Sequence, residues 1–255
     1  MSINKLTLIF TIVLIAASCC ILHIRADEKE TKENKFKRIA VLGDSMTWIG
    51  GDSCQNERGW THTFRQLYQP VAIDIYARSG ATWTDSPRTV GDTTVYSEIL
   101  ADENVVSNQM RRLIGRSRQN DTTVPDLIII YAGANDAWFS TRRPGIFDPA
   151  SRTSLDSCVR SVCRQLKVEF PASKILLISP IEMTKVPVEK ITKVSDIIER
   201  SGRSLGIATL RADQEVDIRR RTELIKPTLT TDGVHTNPAG ARILGEYIIK
   251  RISEL

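Results

Sequence analysis

Histidine is scarce in this chain: its 255 residues include only His23, His62 and His235. No two of them stand at metal-ligand spacing and no Cys-x-x-Cys occurs, so neither a zinc site nor any other metal or cofactor is expected. Cysteine is also sparse. Beyond residue 26 only Cys54, Cys158 and Cys163 remain, an odd set that allows at most one intrachain pair. Cys158 and Cys163 fall five apart in a predicted helix, which turns them about 140° away from each other and argues against a bond between them. A pairing of Cys54 with either stays open.

Concentrated charge is missing too. The formal charge is +5, and residues 1–26 hold two of the basic residues, Lys5 and Arg25, and no acids. The densest basic run, Arg219-Arg220-Arg221, reads as a solvated face, so nucleic acid is not an expected partner. There is no internal repeat, no low-complexity tract and no apolar run of the roughly 20 residues that a membrane span needs. A length of 255 residues fits one full α/β domain rather than two large ones.

One segment departs from this average composition. After a start carrying the single charge of Lys5, Leu6 to Ala17 is apolar except for Thr7 and Thr11, and small residues and two cysteines follow up to Cys20. This pattern predicts an export signal over 1–26 and a charged, solvated linker over 27–35, ahead of a catalytic domain over 36–255. Ala16-Ala17-Ser18-Cys19 resembles a lipoprotein cleavage site in which a cysteine becomes the lipidated first residue, with Ala16 where Leu is usual. Ordinary cleavage near Ala26 is the alternative. The protein is therefore expected in the cell envelope or secreted, and attached to a membrane only through an N-terminal lipid.

The remainder alternates short apolar runs with longer amphipathic stretches, the pattern of parallel strands joined by helices. Strands are predicted at Ile39–Leu42, Val71–Ala77, Asp126–Ala132, Lys174–Ser179 and Gly206–Leu210. Helices are predicted at Trp60–Tyr68, Asn104–Arg118, Ser151–Phe170, Val188–Leu205 and Pro238–Ile252. The Leu-Ile-Ile-Ile run within Asp126–Ala132 must be buried on both faces, which makes that strand central. The expected fold is a three-layer α/β/α sandwich around a five-stranded parallel sheet, flavodoxin-like, with its site at the carboxyl ends of the strands.

Four polar constellations fall where these strands stop. Gly43-Asp44-Ser45 places a serine on a tight turn, where it suits a nucleophile or a helix cap. Ser79-Gly80-Ala81-Thr82 offers a backbone amide that a ligand can approach closely. Gly133-Ala134-Asn135-Asp136 offers a side-chain amide to an oxyanion, or else a turn. Asp232-Gly233-Val234-His235 sets an acid three residues before a histidine, close enough to hold its Nδ1 proton, whereas an isolated histidine would read as a packing residue.

In order and spacing these blocks resemble the four-block pattern of the SGNH (GDSL-type) hydrolases, from Ile39 to about Ile252. Met46 replaces the leucine of the family's name, a similar apolar filler. The resemblance implies Ser45 as nucleophile, His235 as base and Asp232 as its orienter. It implies an oxyanion hole from the amides of Ser45 and Gly80 and the side chain of Asn135. Asp44 and Asp136 are read as structural.

The expected function is thus a serine esterase acting through an acyl-enzyme on a small-molecule or polysaccharide-linked ester. The lack of a long apolar lid favours short acyl groups over triglycerides, and export favours an acetyl group on polysaccharide. A lysophospholipase or thioesterase activity, or a non-catalytic carbohydrate-binding module on the same fold, are the alternatives. An anion loop at Gly43–Thr47 lacks G-x-x-x-x-G-K-[ST] and leaves Asp232 and His235 unexplained. The segments 83–102 and 137–150 are the expected shapers of specificity. Within them Trp83, Trp138 and Phe139 suit either a sugar or acyl site or the core, and Arg142 and Arg143 suit an anionic substrate or solvent.

Overall fold

The structure, a computed structural model, describes residues 34–84, 105–120, 123–143 and 145–255. The predicted export segment, most of the linker and residues 85–102 of the first specificity segment lie outside these residues. Lys35–Leu255 forms one compact unit. Among the described residues no helix is long and apolar enough to cross a membrane.

Five parallel strands form one sheet in the order β2-β1-β3-β4-β5. They are β1 (Arg38–Gly43), β2 (Ala72–Ile75), β3 (Leu127–Tyr131), β4 (Lys174–Ile178) and β5 (Ala208–Leu210). The central strand is β3, and all five of its residues are buried. Covered on both faces, it has no need of alternation and reads as a continuous apolar run. The edge strand β2 is only half-buried, and its regular pairing is shorter than its sequence predicts, although Tyr76 N–H still donates to Val41 C=O at 2.7 Å and Arg78 N–H to Gly43 C=O at 3.1 Å.

Between the strands run α1 (Ser45–Trp48), α2 (Trp60–Tyr68), α3 (Val106–Gln119), α4 (Ala134–Trp138), α5 (Leu155–Glu169) and α6 (Val188–Arg203), and after β5 come α7 (Ala212–Glu215), α8 (Arg220–Ile225) and α9 (Pro238–Ser253). The connection from β1 to β2 runs one way along the sheet and the later connections run the other. Right-handed crossovers therefore put α2 on one face and α3, α5 and α6 on the opposite face. The packing agrees: α2 lies on α9, while α3 packs on α5 and α5 on α6.

Helix α5 buries Leu155, Val159, Val162, Cys163 and Leu166, a stripe at helical spacing in which each Leu or Val contributes roughly 1.5–3 kcal/mol by leaving water. It starts at Leu155 rather than Ser151 because the Ser154 hydroxyl accepts the Ser157 amide and caps the first turn. Cys54 and Cys163 are buried free thiols, and burial pushes Cys163 up to about 12.

The direction of the connections reverses between β1 and β3. In open α/β sheets the crevice at such a reversal, beyond the carboxyl ends of the strands, is where ligands bind. Ser45 follows β1 and Asn135 follows β3.

Candidate active site

The segment after β1 is held by its neighbours on both sides. Asp44 N–H donates to the Tyr131 carbonyl of β3 at 3.1 Å. A Cβ on Gly43 would stand 2.2 Å from that same oxygen, so only glycine fits there. On the other side, where the chain beyond β2 gives Gly43 only the Arg78 amide, donated to its C=O at 3.1 Å, the buried Gln109 of α3 completes the pairing: its Oε1 accepts Gly43 N–H at 2.8 Å and its Nε2 donates to Gly43 C=O at 2.9 Å. The chain then turns into α1, with the Asp44 carboxylate accepting Met46 N–H at 2.9 Å.

Asp44 is fully buried, and its Oδ2 has no hydrogen-bond partner. Burial raises its pKa from 3.8 to about 7, with the nearby Asp136 carboxylate adding to the rise and the Met46 amide opposing it. Met46 and Thr47 point inward, and Trp60 Nε1 donates to Thr47 Oγ1 at 3.2 Å. Ser45 is left half-buried at the first position of α1, where a backbone N–H has no partner within the helix.

His235 reaches Ser45 from the far end of the chain. Its Nε2 is 3.0 Å from Ser45 Oγ and its Nδ1 is 2.7 Å from Asp232 Oδ2. The other carboxylate oxygen, Oδ1, accepts the backbone amides of Val234 at 3.0 Å and His235 at 2.8 Å. Burial, the largest influence on Asp232, raises its pKa, but the hydrogen bonds from His235 and Val234 outweigh it and hold the group below the usual carboxylate range. An ionised carboxylate only accepts, so the imidazole proton sits on Nδ1 and Nε2 is left to accept the Ser45 hydroxyl proton.

The loop carrying these two residues is fastened at several points. Thr230 and Thr236 form an antiparallel bridge, and Thr231 N–H donates to His235 C=O at 2.8 Å. The buried carboxylate of Glu223 in α8 accepts the amides of Thr228 at 3.1 Å, Leu229 at 3.1 Å and Thr230 at 2.9 Å. Gly233 has φ +79°, and a Cβ there would meet Thr184 Oγ1 at 1.9 Å. Arg58, between α1 and α2, ties the nucleophile's side to this loop: its guanidinium donates to Thr231 Oγ1 at 2.9 Å, and its carbonyl accepts Thr236 Oγ1–H at 2.6 Å.

Asn135 sits half-buried in α4, and its Nδ2 donates to Ala81 C=O at 2.9 Å. This bond uses one of the two amide protons and leaves the other. It also ties Asn135 to the turn of Gly80, the residue before Ala81. Neither Ser45 N–H nor Gly80 N–H donates to another backbone or side-chain atom among the described residues. Asp136 is buried and accepts Trp83 N–H at 2.9 Å, Thr84 N–H at 3.1 Å and Thr84 Oγ1–H at 2.8 Å, so it joins the segments after β2 and β3.

The structure thus brings Ser45, Asp232 and His235 into one chain of hydrogen bonds and sets Asn135 beside the Gly80 turn. Two aromatics that suited either a site or the core lie in the core. Trp83 is buried and donates to Ala132 C=O at 3.1 Å, and Phe139 is buried with Arg143 over its ring. Arg143 donates to Thr84 Oγ1 at 2.5 Å and faces Asp136, so it braces the segment after β2, while Arg142 is exposed. Trp138 is exposed. Sequence reading missed Gln109, Glu223 and Arg58. Gln109 leaves a trace, a polar residue on the apolar stripe of Val106, Met110 and Leu113; the other two leave none.

A family model described as the GDSL-like Lipase/Acylhydrolase family matches residues 41–243. No curated protein matches the chain. Solved structures do. The lipase/acylhydrolase from Enterococcus faecalis is 18% identical, with 85% of this chain and 96% of that one covered at a TM-score of 0.53. A member of the lipolytic protein G-D-S-L family from Veillonella parvula is 12% identical, with 86% and 99% covered at a TM-score of 0.53. An acetyl xylan esterase is 16% identical, with 84% and 99% covered at a TM-score of 0.54. At these identities the likeness is one of fold.

Proposed function

The chain belongs to the GDSL-like lipase/acylhydrolase family, and from that premise we propose that it is a serine esterase that removes short acyl groups, acetyl foremost, from carbohydrate. The observation that carries the reading is the line from Ser45 Oγ through His235 Nε2, 3.0 Å away, to Asp232 at 2.7 Å from Nδ1.

Ser45 is the nucleophile. As its oxygen attacks the ester carbonyl, its proton passes to His235 Nε2, and Asp232 stabilises the imidazolium that forms. The negative charge on the former carbonyl oxygen meets the amides of Ser45 and Gly80 and the remaining Nδ2–H of Asn135. The tetrahedral intermediate collapses when His235 returns the proton to the departing alcohol, leaving an acyl-Ser45. Water, deprotonated by His235, then attacks the acyl group, and Ser45 leaves as alcohol with that proton.

The solved acetyl xylan esterase that shares this fold supports an acetylated sugar as substrate. Hydrolysis of p-nitrophenyl acetate against p-nitrophenyl octanoate tests the acyl preference. Faster turnover of the acetate supports it, and faster turnover of the octanoate sinks it in favour of a long-chain acylhydrolase.

We also propose that residues 1–26 direct export, on the charged start and apolar run described above. The mass of the mature N-terminus decides the route: a diacylglyceryl adduct on Cys19 means a lipoprotein, a start near Asp27 means secretion, and an intact Met1 refutes export.

A further inference from the structure

Two strand ends carry the same short pattern. Gly43-Asp44-Ser45-Met46-Thr47-Trp48 follows β1, and Gly133-Ala134-Asn135-Asp136-Ala137-Trp138 follows β3, so both read Gly-x-(Ser/Asn)-x-x-Trp. Their burial runs in step. In each the third residue is half-buried, the fourth and fifth are buried, and the tryptophan is exposed. Trp48 is 41% exposed and Trp138 38%, the two most exposed aromatic side chains among the described residues.

Helical spacing explains the placement. Residues three apart lie on one helical face, so Trp48 stands beside Ser45 in α1 and Trp138 beside Asn135 in α4. Strands β1 and β3 are neighbours in the sheet, with Gly43 in register with Tyr131, so the two patterns follow adjacent strand ends, the second set two residues further along the strand direction than the first. The site therefore presents one indole next to the nucleophile and another next to the oxyanion amide.

We propose that Trp48 and Trp138 are stacking platforms for sugar rings, so that the ester reaching Ser45 is carried on a glycan lying across both indoles. The proposal rests on the serine esterase reading with its carbohydrate alcohol side and assigns the residues that hold that side. An acyl chain is best held where apolar walls enclose it. Here each indole is open to solvent, with Ser45 on the helical face of one and Asn135 on that of the other, and Phe139 at 6.3 Å from the Trp138 ring. A pyranose, with apolar C–H faces and a polar rim, matches a flat amphipathic ring in such a setting.

The test compares the purified protein with Trp48→Ala, Trp138→Ala and the corresponding Phe variants on p-nitrophenyl acetate and on O-acetylated xylotetraose and cellotetraose. Each Ala variant is expected to raise KM for an acetylated tetrasaccharide about tenfold or more, to keep kcat/KM for p-nitrophenyl acetate within about twofold, and to recover part of the loss as Phe. An unchanged tetrasaccharide KM, an equal loss on both substrates, or a wild type that cleaves p-nitrophenyl acetate but neither tetrasaccharide overturns the platforms. Quenching of indole fluorescence by unacetylated tetrasaccharide reads them without catalysis. If no ester is turned over, quenching that disappears in the double Ala variant still upholds the platforms while the esterase reading fails, and no quenching ends both.

Discussion

His235 Nε2 stands 3.0 Å from Ser45 Oγ across 190 positions of sequence, and neither residue is held there by its own element alone. Gln109 and Tyr131 fix the turn before the serine, Glu223 fixes the loop before the histidine, and Arg58 joins the two. A site assembled by several independent fastenings can be loosened at each of them separately.

Asn135→Ala is expected to lower kcat for p-nitrophenyl acetate by about a hundredfold to a thousandfold, on the order of 3–4 kcal/mol, with little change in KM. In the proposed mechanism the amide meets the oxygen only once negative charge has developed there. A fall in kcat of less than threefold would remove Asn135 from the oxyanion hole.

Gln109→Leu leaves the buried Gly43 N–H without its acceptor and Gly43 C=O with only the Arg78 amide. A loss of about 2–4 kcal/mol is expected, seen as a fall in Tm of about 5–10 °C, together with a lower kcat as the serine turn loosens. Unchanged Tm and kcat would show that the Gln109 side chain holds nothing.

Asp44, raised from 3.8 to about 7 by burial, is protonated in the folded protein where an unfolded aspartate is already ionised. Its contribution to stability is therefore fully present below about pH 4 and is lost as the pH rises through about 7, a change on the order of a few kcal/mol. Asp44→Asn keeps an acceptor for Met46 N–H and cannot ionise. Urea midpoints at pH 5 and pH 8 should draw closer together in this variant than in wild type, and an identical spacing in the two would contradict the assignment.

The sheet was legible because parallel strands covered on both faces spell continuous apolar runs, and the Leu-Ile-Ile-Ile run of β3 does mark the centre. Helices α2, α3, α5, α6 and α9 were legible from periodicity, which needs several turns to register. Helices α1 and α4, of four and five residues, are too short for any period, and they are what aims Trp48 and Trp138 outward beside Ser45 and Asn135. Composition alone could not separate exposed Trp138 from buried Trp83, since the difference lies in the carbonyl of Ala132 that receives the Trp83 N–H. Glu223 was illegible for a related reason: its partners are backbone amides, which every sequence contains.

The central claim is that His235 activates Ser45, and covalent labelling tests it most directly. A fluorophosphonate should phosphonylate wild-type protein at a single residue, mapped by peptide mass to Ser45. Labelling should vanish in Ser45→Ala and slow by at least a hundredfold or so in His235→Ala. Label on another residue, or equal labelling rates in wild type and His235→Ala, would contradict the account.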